Sequence, residues 1–228
     1  MLFMKKILKI TKVFAALFVV GAVASTVNIS ATEVKSKNSV EKAQNSEFCI
    51  NDSGELVSYT GDSATVKIPK NVKKINYGAF YGHHEIQKIL FSKKIICIDD
   101  YAFYGCSGLK EAVLPESLTT LGRLAFGNCE NMEKIYIGAS ASNIMELSMC
   151  GCRSLKNIEI NPKNKCFKSI DGIMFTKDGT ALVTCPLDRK GKIIIPETVI
   201  TIKECAFYDC KNIEEVCAGD NLKYIDEA

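Results

Sequence analysis

The amino-acid sequence predicts a repeat solenoid of short stacked β-strands, and three observations carry that expectation. The dipeptide Ala-Phe recurs at Ala79-Phe80, Ala102-Phe103 and Ala125-Phe126, each 23 residues from the last. A degenerate copy, Ser148-Met149, follows one period later, and Ala206-Phe207 closes the series beyond an irregular unit. Alignment on these pairs yields a template, L-x-x-I-x-I-P-x-x-V-x-x-I-x-x-x-A-F-x-x-C-x-x, whose apolar columns stay in register. Position 4 reads Val66, Ile89, Ala112, Ile135, Ile158, Ile193 and Val216; position 13 reads Ile75, Ile98, Leu121, Ile144, Ile202 and Ile225. Positions 4 and 6 alternate, so both point to one side of a short strand. Pro69, Pro115 and Pro196 at position 7 end that strand, because proline cannot donate to a ladder. One unit cannot bury its apolar column alone, whereas units stacked about 4.8 Å apart join their columns into a continuous core.

The elements follow in order along the 228 residues. Residues 1–31 read as a secretory signal peptide: a basic start, the apolar run Val13 to Ala24, and cleavage options at Ala22-Val23-Ala24 and Ile29-Ser30-Ala31. That run is shorter than the roughly 20 residues a bilayer span needs, so no transmembrane span is expected after cleavage. Residues 32–46 are polar and aperiodic, a flexible linker. Residues 47–62 hold a hairpin, with a turn around Asn51 to Gly54, that would cover the open end of the core as solenoids require. The array then runs over residues 63–228: units 63–85, 86–108, 109–131 and 132–154, an irregular unit 155–189, unit 190–212, and a last, incomplete repeat. Within the irregular unit, IMFTK and TALVTC flank Asp178-Gly179, read as a two-residue hairpin turn. The incomplete last repeat predicts an uncapped C-terminal end with exposed apolar surface, open to self-association with a second copy.

The units VKIPKNVKKINYGAFYGH and AVLPESLTTLGRLAFGNC resemble the BspA-like leucine-rich repeats of bacterial surface proteins. The resemblance covers residues 48–228, and residues 161–180 are similar to the family's interruption N-P-x-N-x-x-F-x-S-I-D-G-I-M-F-x-K-D-G-T. The fold class expected is therefore a solenoid of leucine-rich-repeat type. The resemblance implies display on a bacterial surface, with adhesion to host or neighbouring-cell proteins in some members. It makes the address secreted or cell surface.

Composition narrows the function. Hydrophobic residues make up 47% and charged residues 24%, an ordinary globular balance. The net charge of +3 owes four lysines (Lys5, Lys6, Lys9, Lys12) to the leader, and the rest holds 25 basic against 26 acidic residues. That argues against nucleic acid as a partner. Two histidines and no tryptophan are poor stock for acid–base or metal chemistry. No G-x-S-x-G, phosphate-binding loop or H-E-x-x-H occurs, and no catalytic residue, metal site or cofactor is expected. Eleven cysteines in an exported chain invite a disulfide framework. However, Cys106, Cys129, Cys152 and Cys210 share template position 21, which marks them as packing residues with parallel Cβ vectors unsuited to bridging. His83 shares that column and is expected to pack inward, and the Cys150-Gly151-Cys152 pair lacks the second pair a zinc site needs.

A ligand is expected on the face opposite the core. Strand positions 3 and 5 align across units, so that Leu90, Val113 and Tyr136 form an apolar stripe flanked by Lys88, Glu111 and Lys134. Solenoids bind through extended faces of this kind. A second candidate is a basic patch of Lys67, Lys70, Lys73, Lys74, Lys93 and Lys94, suited to an anionic partner, although lysines on an edge also serve to resist strand addition. The function expected is a non-enzymatic, exported module that binds an extracellular protein or glycan. Two alternatives remain: the targeting region of a larger exported enzyme, and a structural spacer without a ligand.

Overall fold

A computed structural model describes Ile7–Leu8 and residues 47–226. The leader and the linker, apart from Ile7–Leu8, lie outside the described residues, as do Glu227 and Ala228. The described chain is a β-solenoid of about seven turns. Each turn contributes a strand at positions 3–5 to a first ladder: β4 (Thr65–Lys67), β6 (Lys88–Leu90), β8 (Glu111–Val113), β10 (Lys134–Ile137), β12 (Asn157–Ile160), β16 (Gly191–Ile194) and β18 (Ile213–Cys217). They pair in parallel as β4-β6, β8-β10-β12 and β16-β18, and the ladder is interrupted between β12 and β16 by the irregular unit. The register is that of the template, with Glu111 opposite Lys134 and Lys134 opposite Asn157. The two-residue β1 (Ile7–Leu8) lies antiparallel to β18.

A second parallel ladder stands where the sequence predicts only a turn. Positions 12–13 form β5 (Lys74–Ile75), β7 (Cys97–Ile98), β9 (Thr120–Leu121) and β11 (Asn143–Ile144), joined as β11-β9-β7-β5. The same positions reappear as β17 (Thr201–Ile202) and β19 (Tyr224–Ile225). Position 13 is buried in β5, β7, β9 and β17, half-buried in β11 (Ile144) and exposed in β19 (Ile225), while position 12 is the more open of the pair in β5, β7, β9, β11 and β17, so only one apolar column marks these strands. The first ladder's edge carries no cover from β2 (Phe48–Ile50) and β3 (Glu55–Tyr59). These pair antiparallel, and β3 extends the second ladder instead, parallel to β5.

Between the second ladder and the next turn, positions 14–20 form an outward arc. Its backbone also bonds from turn to turn: the Phe80, Phe103 and Phe126 N–H groups donate to the Ala102, Ala125 and Ser148 carbonyls at 2.7, 2.7 and 2.8 Å. Each arc needs two residues in the left-handed region, at positions 16 and 20. Position 20 meets this with Gly82, Gly105, Asn128, Gly151 and Asp209, residue types that tolerate positive φ. Position 16 holds Gly78 once, then Tyr101, Leu124, Leu147 and Cys205 at φ near 55°. Bonding within and between turns sustains this conformation against local preference. At Gly151 a Cβ would lie 2.0 Å from Asn128 Oδ1, so a larger residue there would have to displace the Asn128 side chain.

The core is the set of inward columns. Phe80, Phe103 and Phe126 are fully buried and stack face to face, with centroids 4.8 and 5.0 Å apart and interplanar angles of 12° and 9°. Offset-stacked rings at this spacing add about 0.5–1.5 kcal/mol per pair beyond area burial. Tyr59 and Phe48 continue the column at its first end, at 5.1 Å each. Met149 continues it at the other end and is also buried.

The irregular unit holds a three-stranded antiparallel meander rather than one hairpin: β13 (Phe167–Ile170), β14 (Ile173–Thr176) and β15 (Ala181–Thr184). The two-residue turn is Asp171-Gly172, with φ of 49° and 73° as a hairpin turn of twofold positive φ demands. Asp178-Gly179, expected to be such a turn, instead sits in the four-residue connection 177–180. There only Gly179 has positive φ, its N–H bonds Thr176 O at 2.9 Å, and β14 and β15 pair with a register shift. A G1-type loop of this sort takes more residues than a tight turn. β15 then joins β17 in parallel. The buried residues fall into two clusters, one ending at Met174 and the other beginning at Ile173.

Candidate binding faces

Alternation along the first ladder sets the outer face. Ile89, Ala112 and Ile135 point inward and are buried, which turns their neighbours outward. Leu90 and Val113 are 42% and 51% exposed. Val113 pairs directly with Tyr136, and β6 lies beside β8, so the three side chains adjoin across successive strands. Lys88 and Glu111 flank them in the open. Lys134 is half-buried and bonds Glu159 at 2.9 Å. Tyr136 is anchored by its hydroxyl, which donates to Glu116 Oε1 at 2.8 Å and accepts from Asn161 Nδ2 at 3.0 Å. The Ala139 N–H, 2.6 Å from Glu116 Oε2, holds that carboxyl below its usual range, with Tyr136 and Asn161 adding to the effect. The ring is thus a fixed part of the face.

The lysines of the basic patch divide. Lys67 projects from β4, and Lys70, Lys73, Lys93 and Lys94 are exposed on the connections between the two ladders. Lys74 lies on β5 of the second ladder, paired with Asp99 at 2.8 Å, and does not join the others.

A further exposed surface is absent from the sequence reading. Tyr77 and Tyr81 are 67% and 59% exposed on the first arc, and their rings lie 5.4 Å from Tyr101 and 5.1 Å from Tyr104 on the next. Tyr101 and Tyr104 are 5.5 Å apart, which links all four. The available signal was tyrosine at position 19 in two consecutive units, a column the template left unspecified.

The position-21 cysteines do more than pack. The Cys106, Cys129 and Cys152 thiols donate to the Phe80, Phe103 and Phe126 carbonyls of the preceding turn at 3.2, 3.2 and 3.0 Å. Burial pushes the Cys106 thiol up to about 12 and raises Cys129 in the same direction. A neutral thiol is a poor nucleophile. Cys49 and Cys166 are exposed. Alkylation of the native protein, read by peptide mass mapping, should therefore modify Cys49 and Cys166 quickly and spare Cys106, Cys129 and Cys152 until the chain is unfolded. His83 packs beside Tyr59 and Phe80, with Nδ1 2.6 Å from Glu85 Oε1 and Nε2 3.1 Å from the Tyr59 carbonyl. Among the described residues, no group of three or more His, Cys, Asp or Glu is placed to hold a metal ion, and no helix is long and apolar enough to cross a membrane.

Two parallel ladders, an arc-borne Phe column and one interruption define a leucine-rich-repeat solenoid. The chain belongs to the BspA-type leucine-rich-repeat family: six copies of that repeat match residues 57–178 and 185–228, and the gap between the two matched stretches falls in the irregular unit. In structure the chain is similar to a leucine-rich repeat protein of Eubacterium ventriosum ATCC 27560, at 22% identity and a TM-score of 0.62 over 71% of this chain and 43% of that one. It is also similar to the pneumococcal vaccine antigen PcpA, at 24% identity and a TM-score of 0.58 over 72% of this chain and 47% of that one. The chain thus spans less than half the length of either protein. No curated protein matches it.

Proposed function

We propose that the protein is an exported, non-enzymatic binding module that contacts an extracellular protein or glycan through the outer face of its first ladder. The observation that carries this reading is the stripe of Leu90 and Val113, exposed on rigid strands beside Lys88 and Glu111 and continued by the half-buried, hydrogen-bonded Tyr136. Exposed apolar residues set side by side on an extended solenoid surface are a binding signature. Export is supported by the leader at residues 1–31, and a surface address by membership of a family whose structural relatives include a vaccine antigen.

The test is a binding screen with the immobilised chain against extracellular-matrix proteins, cell-wall glycans and sulfated polysaccharides at two salt concentrations. Leu90→Ser with Val113→Ser should weaken a salt-insensitive hit by about tenfold or more, while leaving thermal unfolding nearly unchanged because both residues are exposed. A salt-sensitive hit that is lost on changing Lys67, Lys70 and Lys73 to Glu would move the site to the basic connections. A folded chain that binds nothing would favour the spacer.

A further inference from the structure

One pair of cysteines departs from the column that the others share. In the regular units the position-21 thiol meets the carbonyl of a phenylalanine one turn back, as Cys106 meets Phe80 at 3.2 Å and Cys152 meets Phe126 at 3.0 Å. For Cys210 that preceding place is filled from the irregular unit. Cys185 occupies it, since its N–H donates to Ala206 O at 2.8 Å as the Phe103 N–H does to Ala125 O at 2.7 Å. A second thiol thus stands where the regular units carry phenylalanine.

The two side chains converge. The Cys185 and Cys210 amides are held by the carbonyls of adjacent residues, Ala206 at 2.8 Å and Phe207 at 3.2 Å. Both thiols donate to the same acceptor, Pro186 O, at 3.7 Å from Cys185 and 3.8 Å from Cys210. Cys210 Sγ lies 3.7 Å from Cys185 O, a looser contact than those of Cys106 and Cys152. The two thiols also hydrogen-bond each other, which together with burial pushes the Cys185 thiol up. Neighbours within the position-21 column have parallel Cβ vectors that do not suit a bridge. Cys185 comes from a different column, which frees this pair from that constraint. Access is graded: Cys185 is buried, whereas Cys210 is half-buried against the second core cluster.

We propose that Cys185 and Cys210 form a redox-sensitive dithiol, which a small external disulfide oxidises to an intrachain bond that clasps the irregular unit to the next arc. Cys210, the more accessible sulfur, gives up its proton and attacks the external disulfide, and one external thiol leaves. Cys185 then loses its proton and attacks the Cys210 sulfur of the mixed disulfide, and the second external thiol leaves. The two protein thiols lose two electrons and two protons in all, and one external disulfide is reduced to two thiols. The bond joins residues 25 positions apart, beside the interruption of the first ladder between β12 and β16. Closing that loop restricts the unfolded chain, so the oxidised form is the more stable.

The experiment treats the folded full chain with an excess of oxidised glutathione, after Cys49→Ser and Cys166→Ser have removed the exposed thiols. Remaining thiols are alkylated and the tryptic peptides are mapped by mass. A link between peptides 178–189 and 204–211 is expected. The second peptide also holds Cys205, so the reaction is repeated with Cys205→Ala, which should keep the link, and with Cys210→Ala, which should lose it. Oxidation should raise the thermal midpoint by about 5 °C or more, reversibly with dithiothreitol, and should not raise it in Cys210→Ala. The proposal is overturned if both thiols remain open to alkylation after unfolding, if the link runs through Cys150 or Cys205, if it forms only in urea, or if the linked chain melts no higher than the reduced one.

Discussion

Phe103→Ala is expected to cost about 3–5 kcal/mol, the range for truncating a fully buried Phe in a rigid core. Phe103 touches aromatic neighbours on three sides: Phe80 at 4.8 Å, Phe126 at 5.0 Å and Phe91 edge-on at 5.7 Å. Backbone bonds fix the arcs above and below it at 2.7 Å, so the stack has little freedom to collapse into the void. The cavity contribution therefore adds to the lost transfer energy. In a solenoid the loss also falls on two interfaces at once, since each unit is stabilised through its neighbours. Phe207→Ala is the internal control, because Phe207 is only half-buried and packs in the smaller second cluster. It should cost about 1–2 kcal/mol. Urea unfolding followed by circular dichroism measures both. If the loss for Phe103→Ala stays below about 1.5 kcal/mol, the Phe column is not what joins the first units.

That column was legible in the sequence because burial is written in residue type, and repetition makes it visible. Val66, Ile89 and Ile135 inward, with Leu90 and Val113 outward, follow from simple alternation at a known period. The second ladder was not legible. Lys74, Cys97, Thr120 and Asn143 share nothing at position 12, so each two-residue strand shows one apolar residue and no alternation. The arcs were half legible: Gly82, Gly105, Asn128, Gly151 and Asp209 record the left-handed position 20. Tyr101, Leu124, Leu147 and Cys205 at position 16 are residues whose conformation is imposed by bonding between turns. In the irregular unit two Asp-Gly pairs compete for the hairpin turn. The one that takes it, Asp171-Gly172, joins β13 to a strand whose partner on the other side is β15. By sequence alone Asp178-Gly179 is the turn, which yields one hairpin in place of a meander. The outward stripe was found by position alone, whereas the tyrosine surface of Tyr77, Tyr81, Tyr101 and Tyr104 depends on adjacent arcs projecting side by side.

Asn164→Ala should destabilise the chain by about 3–5 kcal/mol through lost polar partners rather than lost volume. Asn164 is fully buried. Its Nδ2 donates to the Gly138 and Ala141 carbonyls, both at 2.9 Å, and its Oδ1 accepts from the Cys166 and Phe167 amides at 2.9 and 2.8 Å. One side chain thus ties the start of the meander to the turn of the preceding unit. Without it two carbonyls and two amides lose their partner, each unsatisfied buried group costing about 1–3 kcal/mol before relaxation and entering water lower the sum. Asn164→Leu restores volume without partners and should do no better, which separates this effect from a cavity. Asn164→Asp separates it further. A buried carboxylate can accept from the two amides but repels the two carbonyls, so its folded pKa rises above the unfolded value of about 3.9. The stability it retains is fully present below that unfolded value, where the protonated acid can donate to one carbonyl. It is lost as pH rises through the raised folded value. Denaturant midpoints measured between pH 3.5 and 7.5 should therefore fall with pH for Asn164→Asp relative to the parent chain. A flat difference would mean that the meander is held by the β13–β14–β15 pairing alone. Amide exchange across 161–180 locates the loss: it should accelerate there in all three variants while the Phe80–Phe126 arcs keep their protection.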